Sequence, residues 1–170
     1  KNPEKYGNHD LIRINYILGK RESRRLLGDY IMSQTDCTEN VEKPDKVSEG
    51  GNPFDLHVPI SENAFIVKID PRVTLHQRTR FDVPFRCLYS RNVANLLMAG
   101  RCISVTRIAH SCMRIQNTGG QNGVAVGAAA FLCKKHNATP RGIYEKHLPE
   151  LQNIVFDREP YKNALTARPK

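Results

Sequence analysis

The sequence contains no apolar run near the roughly 20 residues that a membrane-crossing helix needs, so no membrane partner is expected. No secretory apolar region stands near its start. Residue 1 is Lys rather than Met, and the chain is read as a fragment of a longer protein. The expected compartment is the cytoplasm, or the exterior if a signal peptide precedes residue 1. Cysteine is sparse: Cys37, Cys87, Cys102, Cys112 and Cys133 include no C-x-x-C pair, and no histidine falls at finger spacing. That argues against structural zinc, and no residue is assigned to a metal. An odd number of widely spread cysteines fits buried or free thiols better than a disulfide framework. Internal repeats and low-complexity segments are absent. Aromatic residues make up 7% and do not interleave with the basic ones, as an RNA-stacking surface requires.

What is present is a chain of 170 residues, the size of one domain or a large piece of one. Folded alone it would bury roughly 70% of its unfolded surface. A hydrophobic fraction of 39% against 25% charged excludes a disordered chain. Lys and Arg number 26 against 17 Asp and Glu, a net charge of +9 that suits nucleic acid, an anionic ligand or simply a soluble surface. The charge is spread, and its densest run, Lys20 to Arg25, is interrupted by Glu22. A basic, non-enzymatic binding module for nucleic acid is therefore the competing functional reading, and a disfavoured one.

Partial alternation over Leu11 to Leu18 predicts a strand. Arg24 to Met32 reads as a short strand or a helical turn. Asn, Pro, paired Gly and acids over residues 35–53 predict a loop, extended to 63 in the domain division. Ala64 to Ile69 predicts a strand. Phe81 to Tyr89, with Pro84 inside it, reads as an edge strand or an extended crossing segment. Asn95 to Ala99 predicts a short buried strand stopped by Gly100. Gly123 to His136 predicts a helix, beginning within a few residues of Gln121, with Lys134, Lys135 and His136 at its C-terminal end. Thr139 and Pro140 then supply an N-cap and first residue for a second helix through about His147, which Pro149 ends or restarts.

The informative block is Asn95 to His136. Asn95-Leu96-Leu97-Met98-Ala99-Gly100-Arg101-Cys102-Ile103-Ser104, then His110, Arg114, Thr118, Gln121 and a Gly/Ala-rich helix, resembles the C-terminal FAD-contacting segment of FAD-dependent oxidoreductases with the glutathione-reductase-type fold. More narrowly, it is similar to a bacterial FAD-dependent oxidoreductase family. Arg21 to Tyr30, Gly50 to His57, and Pro84 to Leu88 support that likeness, which covers most of residues 20–152. The family's N-terminal G-x-G-x-x-G unit is absent, and Asn122 and Val124 stand where relatives commonly carry small residues.

The resemblance implies an α/β (or α+β) class, the C-terminal portion of a three-layer FAD-binding domain plus part of a mixed substrate-side sheet. Residues 1–92 would form the substrate side, 93–136 the strand–loop–helix that closes the FAD domain, and 137–170 a helical tail. The implied cofactor is FAD, held by Gly100, Arg101, Thr118, Gly120, Gln121 and Asn122. The implied reaction is hydride transfer between a small organic substrate and flavin N5, with His57, His110 and Arg114 as catalytic candidates and Arg24 and Arg25 holding substrate. The expected partners are a small-molecule substrate and the N-terminal FAD-binding half of the same protein; the fragment alone is expected to be inactive and able to self-associate.

Overall fold

The computed structural model describes residues 2–10, 12–13, 16, 24–39, 41–55 and 80–157. Among these, a single helical turn, α1 (Pro3–Tyr6), is followed by α2 (Gln34–Glu39), strand β1 (Lys46–Gly50) and strand β2 (Phe81–Pro84). Two 3-10 turns, Phe85–Cys87 and Gly100–Cys102, precede α3 (Arg107–Met113), α4 (Gln116–His136), α5 (Pro140–Lys146) and α6 (Leu148–Phe156). The class is α/β, with helices gathered round a two-stranded antiparallel sheet.

Strand β1 reads Lys-Val-Ser-Glu-Gly, almost without hydrophobic signal, yet all of it except Glu49 is buried. Its polar side chains are matched one by one. Lys46 pairs with Glu49 and, at 2.9 Å, with Asp82 of β2. Ser48 Oγ donates to Asn122 Oδ1 of α4 at 2.5 Å. Val47 completes the strand by packing in the core with Phe81, Val83 and Phe85. The composition of residues 35–53 predicts a loop, but α2 and β1 form there, because partners distant in sequence satisfy polar groups that hydropathy scores as exposed.

Helix α4 turns Thr118, Asn122, Ala125, Ala129 and Leu132 inward, a spacing of four and three residues that places them on one face. It starts at Gln116, ahead of the expected Gln121, since nothing in Gln-Asn-Thr-Gly-Gly forbids helix once the turn packs. Asn137 ends it in the left-handed region (φ 48°), a conformation asparagine tolerates. Thr139 caps α5 as expected, its hydroxyl accepting from Gly142 N at 3.2 Å. Pro149 lies in the first turn of α6, so it restarts the helix.

Residues 96–99 correct another expectation. They form no strand beyond a single bridge from Leu97 to Tyr89, and only Met98 is buried. The apolar run packs one side on the segment that follows the Phe85–Cys87 turn, where Met98 N donates to Leu88 O at 2.8 Å, without a second flanking strand among the described residues. The expected strand over Leu11 to Leu18 falls mostly outside the described residues, and the one over Ala64 to Ile69 lies wholly outside them.

Arg24 to Met32 is neither regular strand nor helical turn; it threads between two neighbours. Leu26 N donates to Cys102 O and Met32 N to Ser104 O on one side, while Tyr30 N reaches Arg86 O and Leu27 O accepts from Arg91 N on the other. Gly28 sits at the tightest point, where an added Cβ would lie 2.4 Å from the Arg86 carbonyl oxygen and 3.0 Å from Ser104 Cβ. Gly28→Ala should therefore destabilise the chain by roughly 1–3 kcal/mol, measured by denaturant unfolding, because backbone has to move to admit the methyl group.

Asp36, buried in α2, joins this segment to the next. Its carboxylate accepts from Tyr30 Oη at 2.6 Å, Lys43 Nζ at 2.5 Å and Ser33 N at 2.7 Å. Burial works against its charge, but the hydrogen bonds from Lys43, Tyr30 and Ser33 outweigh it and hold the carboxyl below its ordinary value of 3.8. A depressed folded value adds stability that is complete above pH 3.8 and is lost as pH falls through the folded value. Asp36→Asn should flatten the acid limb of the stability curve in that window, read by thermal unfolding across pH.

Candidate functional site

The Gly100–Cys102 turn and the first turns of α4 meet backbone to backbone. Gly100 adopts φ +69°, a left-handed conformation that other residues adopt only with strain. An added Cβ on Gly119 would stand 3.5 Å from Gly100 Cα, so the turn touches the helix start. Further along the outer side of α4, Gly120, Gly123 and Gly127 are exposed, and a Cβ on any of them would meet nothing within 4 Å. The result is a shallow cradle walled by backbone, beside the start of the helix and its positive dipole end.

Side-chain hydrogen bonds hold the elements on either side of this junction. His110, buried in α3, lies 2.9 Å from the Arg101 carbonyl oxygen through Nε2. A carbonyl can only accept, so Nε2 carries the hydrogen and the imidazole is a donor there. Gln121 Oε1 accepts from Glu49 N at 3.2 Å, and Asn122 Oδ1 accepts from Ser48, so both side chains face β1 rather than the cradle. Asn117 Oδ1 accepts from Thr118 N at 2.8 Å and from Asn52 Nδ2 at 3.0 Å.

Arg114 lies between α3 and α4, its side chain only 7% exposed, and donates through Nη2 to the backbone oxygen and carboxylate of Asp55 at 2.8 and 2.7 Å. Buried polar atoms nearby, Arg114 Nε, Thr118 Oγ1 and Asn122 Nδ2, have no hydrogen-bond partner among the described residues. The structure thus brings Gly100, Arg101, His110, Arg114, Thr118 and Gly120 into one neighbourhood. Arg24 is exposed and Arg25 half-buried, two residues and one residue before Leu26, whose N–H bonds the same turn at Cys102. His57 lies outside the described residues. Asn52 and Asp55 fall in the Gly50 to His57 stretch that carries the resemblance but have no role assigned from sequence, and Asn117 has no sequence signal beyond its place beside Thr118.

Two buried thiols, Cys37 and Cys87, offer no competing chemistry. A hydrogen bond with Cys112 and burial push the Cys37 thiol far up, and burial raises Cys87 to about 12. Neither ionises near neutral pH, so neither is an activated nucleophile.

A family model for FAD dependent oxidoreductases matches residues 1–155. The chain belongs to that family. The cofactor of this FAD dependent oxidoreductase is FAD, and its general function is oxidoreduction. No curated protein and no solved structure matched it. No helix among its described residues is long and apolar enough to cross a membrane. The residues present fit a flavin: the cradle is lined by glycines whose missing side chains leave contact-distance access. As a FAD dependent oxidoreductase it should depend on His110 for the shape of that cradle. His110→Leu should lower flavin content several-fold and cost roughly 1–3 kcal/mol of stability, whereas His110→Gln, which keeps an N–H donor, should recover much of both. Absorbance of bound flavin per chain, set beside the melting temperature, checks this.

Proposed function

We propose that this chain is the C-terminal, flavin-closing part of a bacterial FAD-dependent oxidoreductase of the glutathione-reductase type, acting on a small organic substrate. The observation that carries the reading is the left-handed Gly100 set against Gly119 at the start of a helix whose next glycines stand open. The flavin, when bound, supplies a hydride acceptor or donor at N5. The chain's part is binding and orientation. Gly100 lets backbone approach the ribityl–pyrophosphate stretch, and the exposed Arg101 offers charge-assisted hydrogen bonds to it. The start of α4 directs N–H groups and dipole at the ring edge that gains negative charge on reduction.

His110 acts through Arg101: by donating to its carbonyl it fixes the turn, and it is a positioning residue. Arg114 orients the neighbouring loop through Asp55, two residues before His57, and His57 is proposed as the group that takes or returns the substrate proton. Arg24 and Arg25, next to the same turn, are proposed to hold an anionic or polyhydroxyl substrate.

An N-terminal G-x-G-x-x-G unit of the longer protein is proposed to recognise the adenosine and most of the pyrophosphate, and to cover the outer side of α4 where Gly123, Gly127, Ala130 and Phe131 are exposed. By this reading the isolated chain is inactive, and that open side favours self-association.

Gly120→Val separates cofactor binding from folding in the full-length protein. Within this chain an added Cβ meets nothing within 4 Å, and replacing a helical glycine by valine is neutral or stabilising by up to about 0.5 kcal/mol. The variant should therefore melt no lower as apoprotein, yet lose flavin at least tenfold more readily on dialysis. Unchanged flavin content would remove Gly120 from the cofactor site and with it the proposed orientation.

A further inference from the structure

The far end of α4 carries a second cluster that the flavin reading leaves unused. His136 closes α4, His147 stands at the α5–α6 junction, and Glu150 lies in the first turn of α6. The reversal at left-handed Asn137 folds α5 and α6 back so that these three meet. His136 Nε2 is 2.8 Å from Glu150 Oε2, and His147 Nδ1 is 3.9 Å from the same oxygen. All three ligand atoms lie within 4.8 Å of one another. Lys135 Nζ takes the other carboxylate oxygen, Oε1, at 2.7 Å, which leaves Oε2 turned to the histidines.

Two imidazoles and one carboxylate form a donor set of borderline softness, suited to zinc-like divalent ions, with Lys135 as the outer partner that orients the carboxylate. Bound to a tetrahedral ion, the three donor atoms would stand about 3.3 Å apart, so the cluster needs only a modest contraction. The rings now stack, with centroids 3.8 Å apart and planes 12° from parallel. One ring must tilt for both nitrogens to aim at a common ion. His147 has that freedom, being 28% exposed and non-helical at φ −130°. Both histidines also line a cavity of about 480 Å³ that Thr139 and Arg141 help to wall, so the coordination position not filled by protein is reachable from it.

We propose that His136, His147 and Glu150 bind a divalent transition-metal ion such as Zn2+, with an open position for water or a small anion. The site is built at the end of α4 away from the glycine cradle and does not depend on flavin. It also differs from the cysteine-based zinc pattern that the sequence lacks, because its ligands come from two separate helices and a junction.

The test is equilibrium dialysis or calorimetry of the full chain with Zn2+, repeated with Co2+ for its absorption spectrum. One ion should bind per chain with micromolar or tighter affinity. His147→Gln and, as a second variant on the partly exposed carboxylate, Glu150→Gln should each weaken binding at least tenfold while circular dichroism stays unchanged. The Co2+ adduct should show visible bands of nitrogen and oxygen ligation without a thiolate charge-transfer band. Absence of saturable binding, undiminished affinity in folded His147→Gln or Glu150→Gln, or a thiolate band would each overturn the proposal.

Discussion

The Asp45–Arg86 pair is the contact on which the remaining architecture hangs. Asp45 is fully buried just before β1, and Arg86 lies in the 3-10 turn that follows β2. The guanidinium holds the carboxylate with two bonds, at 2.9 and 3.0 Å, and the turn's own N–H groups add two more, Phe85 N to Asp45 O and Arg86 N to Asp45 Oδ2. Arg86 also stacks between Tyr30 and Tyr144, 5.2 and 5.4 Å from the ring centroids. One ion pair thereby joins the sheet, the threaded segment and α5. Removing one member of such a buried pair leaves an uncompensated charge, a cost of about 3–5 kcal/mol. That is a large share of a domain's total stability.

The consequence reaches the cradle through β1. Once Asp45 sets where β1 begins, Ser48 and Glu49 arrive opposite Asn122 and Gln121. Those contacts fix the rotation of α4 about its axis, which decides that Gly120, Gly123 and Gly127 face outward. Gly119 is then left to meet Gly100. Gln121 and Asn122, which the resemblance assigns to the cofactor, thus spend their side-chain oxygens on the sheet, and the outer surface of the helix is open backbone at its glycines.

A second electrostatic node, Asp29, plays the corresponding part for the C-terminal helices. It accepts from Arg141 of α5 at 2.8 and 2.7 Å and from Tyr89 Oη at 3.0 Å. Its hydrogen bonds from Arg141 hold its carboxyl below the usual range, against the opposing effect of burial. The core itself is modest in aromatic content, so these charge nodes do much of the work of specifying which segments lie together.

The helices at Gly123 to His136 and Thr139 to Lys146 were legible in the sequence because their signals are local: small residues, a terminal cationic cluster, a capping hydroxyl and a proline at the first position. So were the family and its cofactor, since the ordered words around Gly100 and Gln121 survive without knowledge of contacts. Strand β1 was not legible, nor was the absence of a strand at 96–99. Lys46 and Ser48 are buried, and Glu49 is held, by partners 36 to 74 residues away, and Leu96 to Ala99 has no strand on its second side among the described residues, facts that no local window contains. The role of His110 belongs to the same class: the sequence placed it near the site, but only the fold shows its Nε2 hydrogen committed to the Arg101 carbonyl. Local propensity determined which segments could be helices and which family they serve. Pairing across distance decided which polar groups went inside, because a buried charge or amide is stable only where its partner already waits.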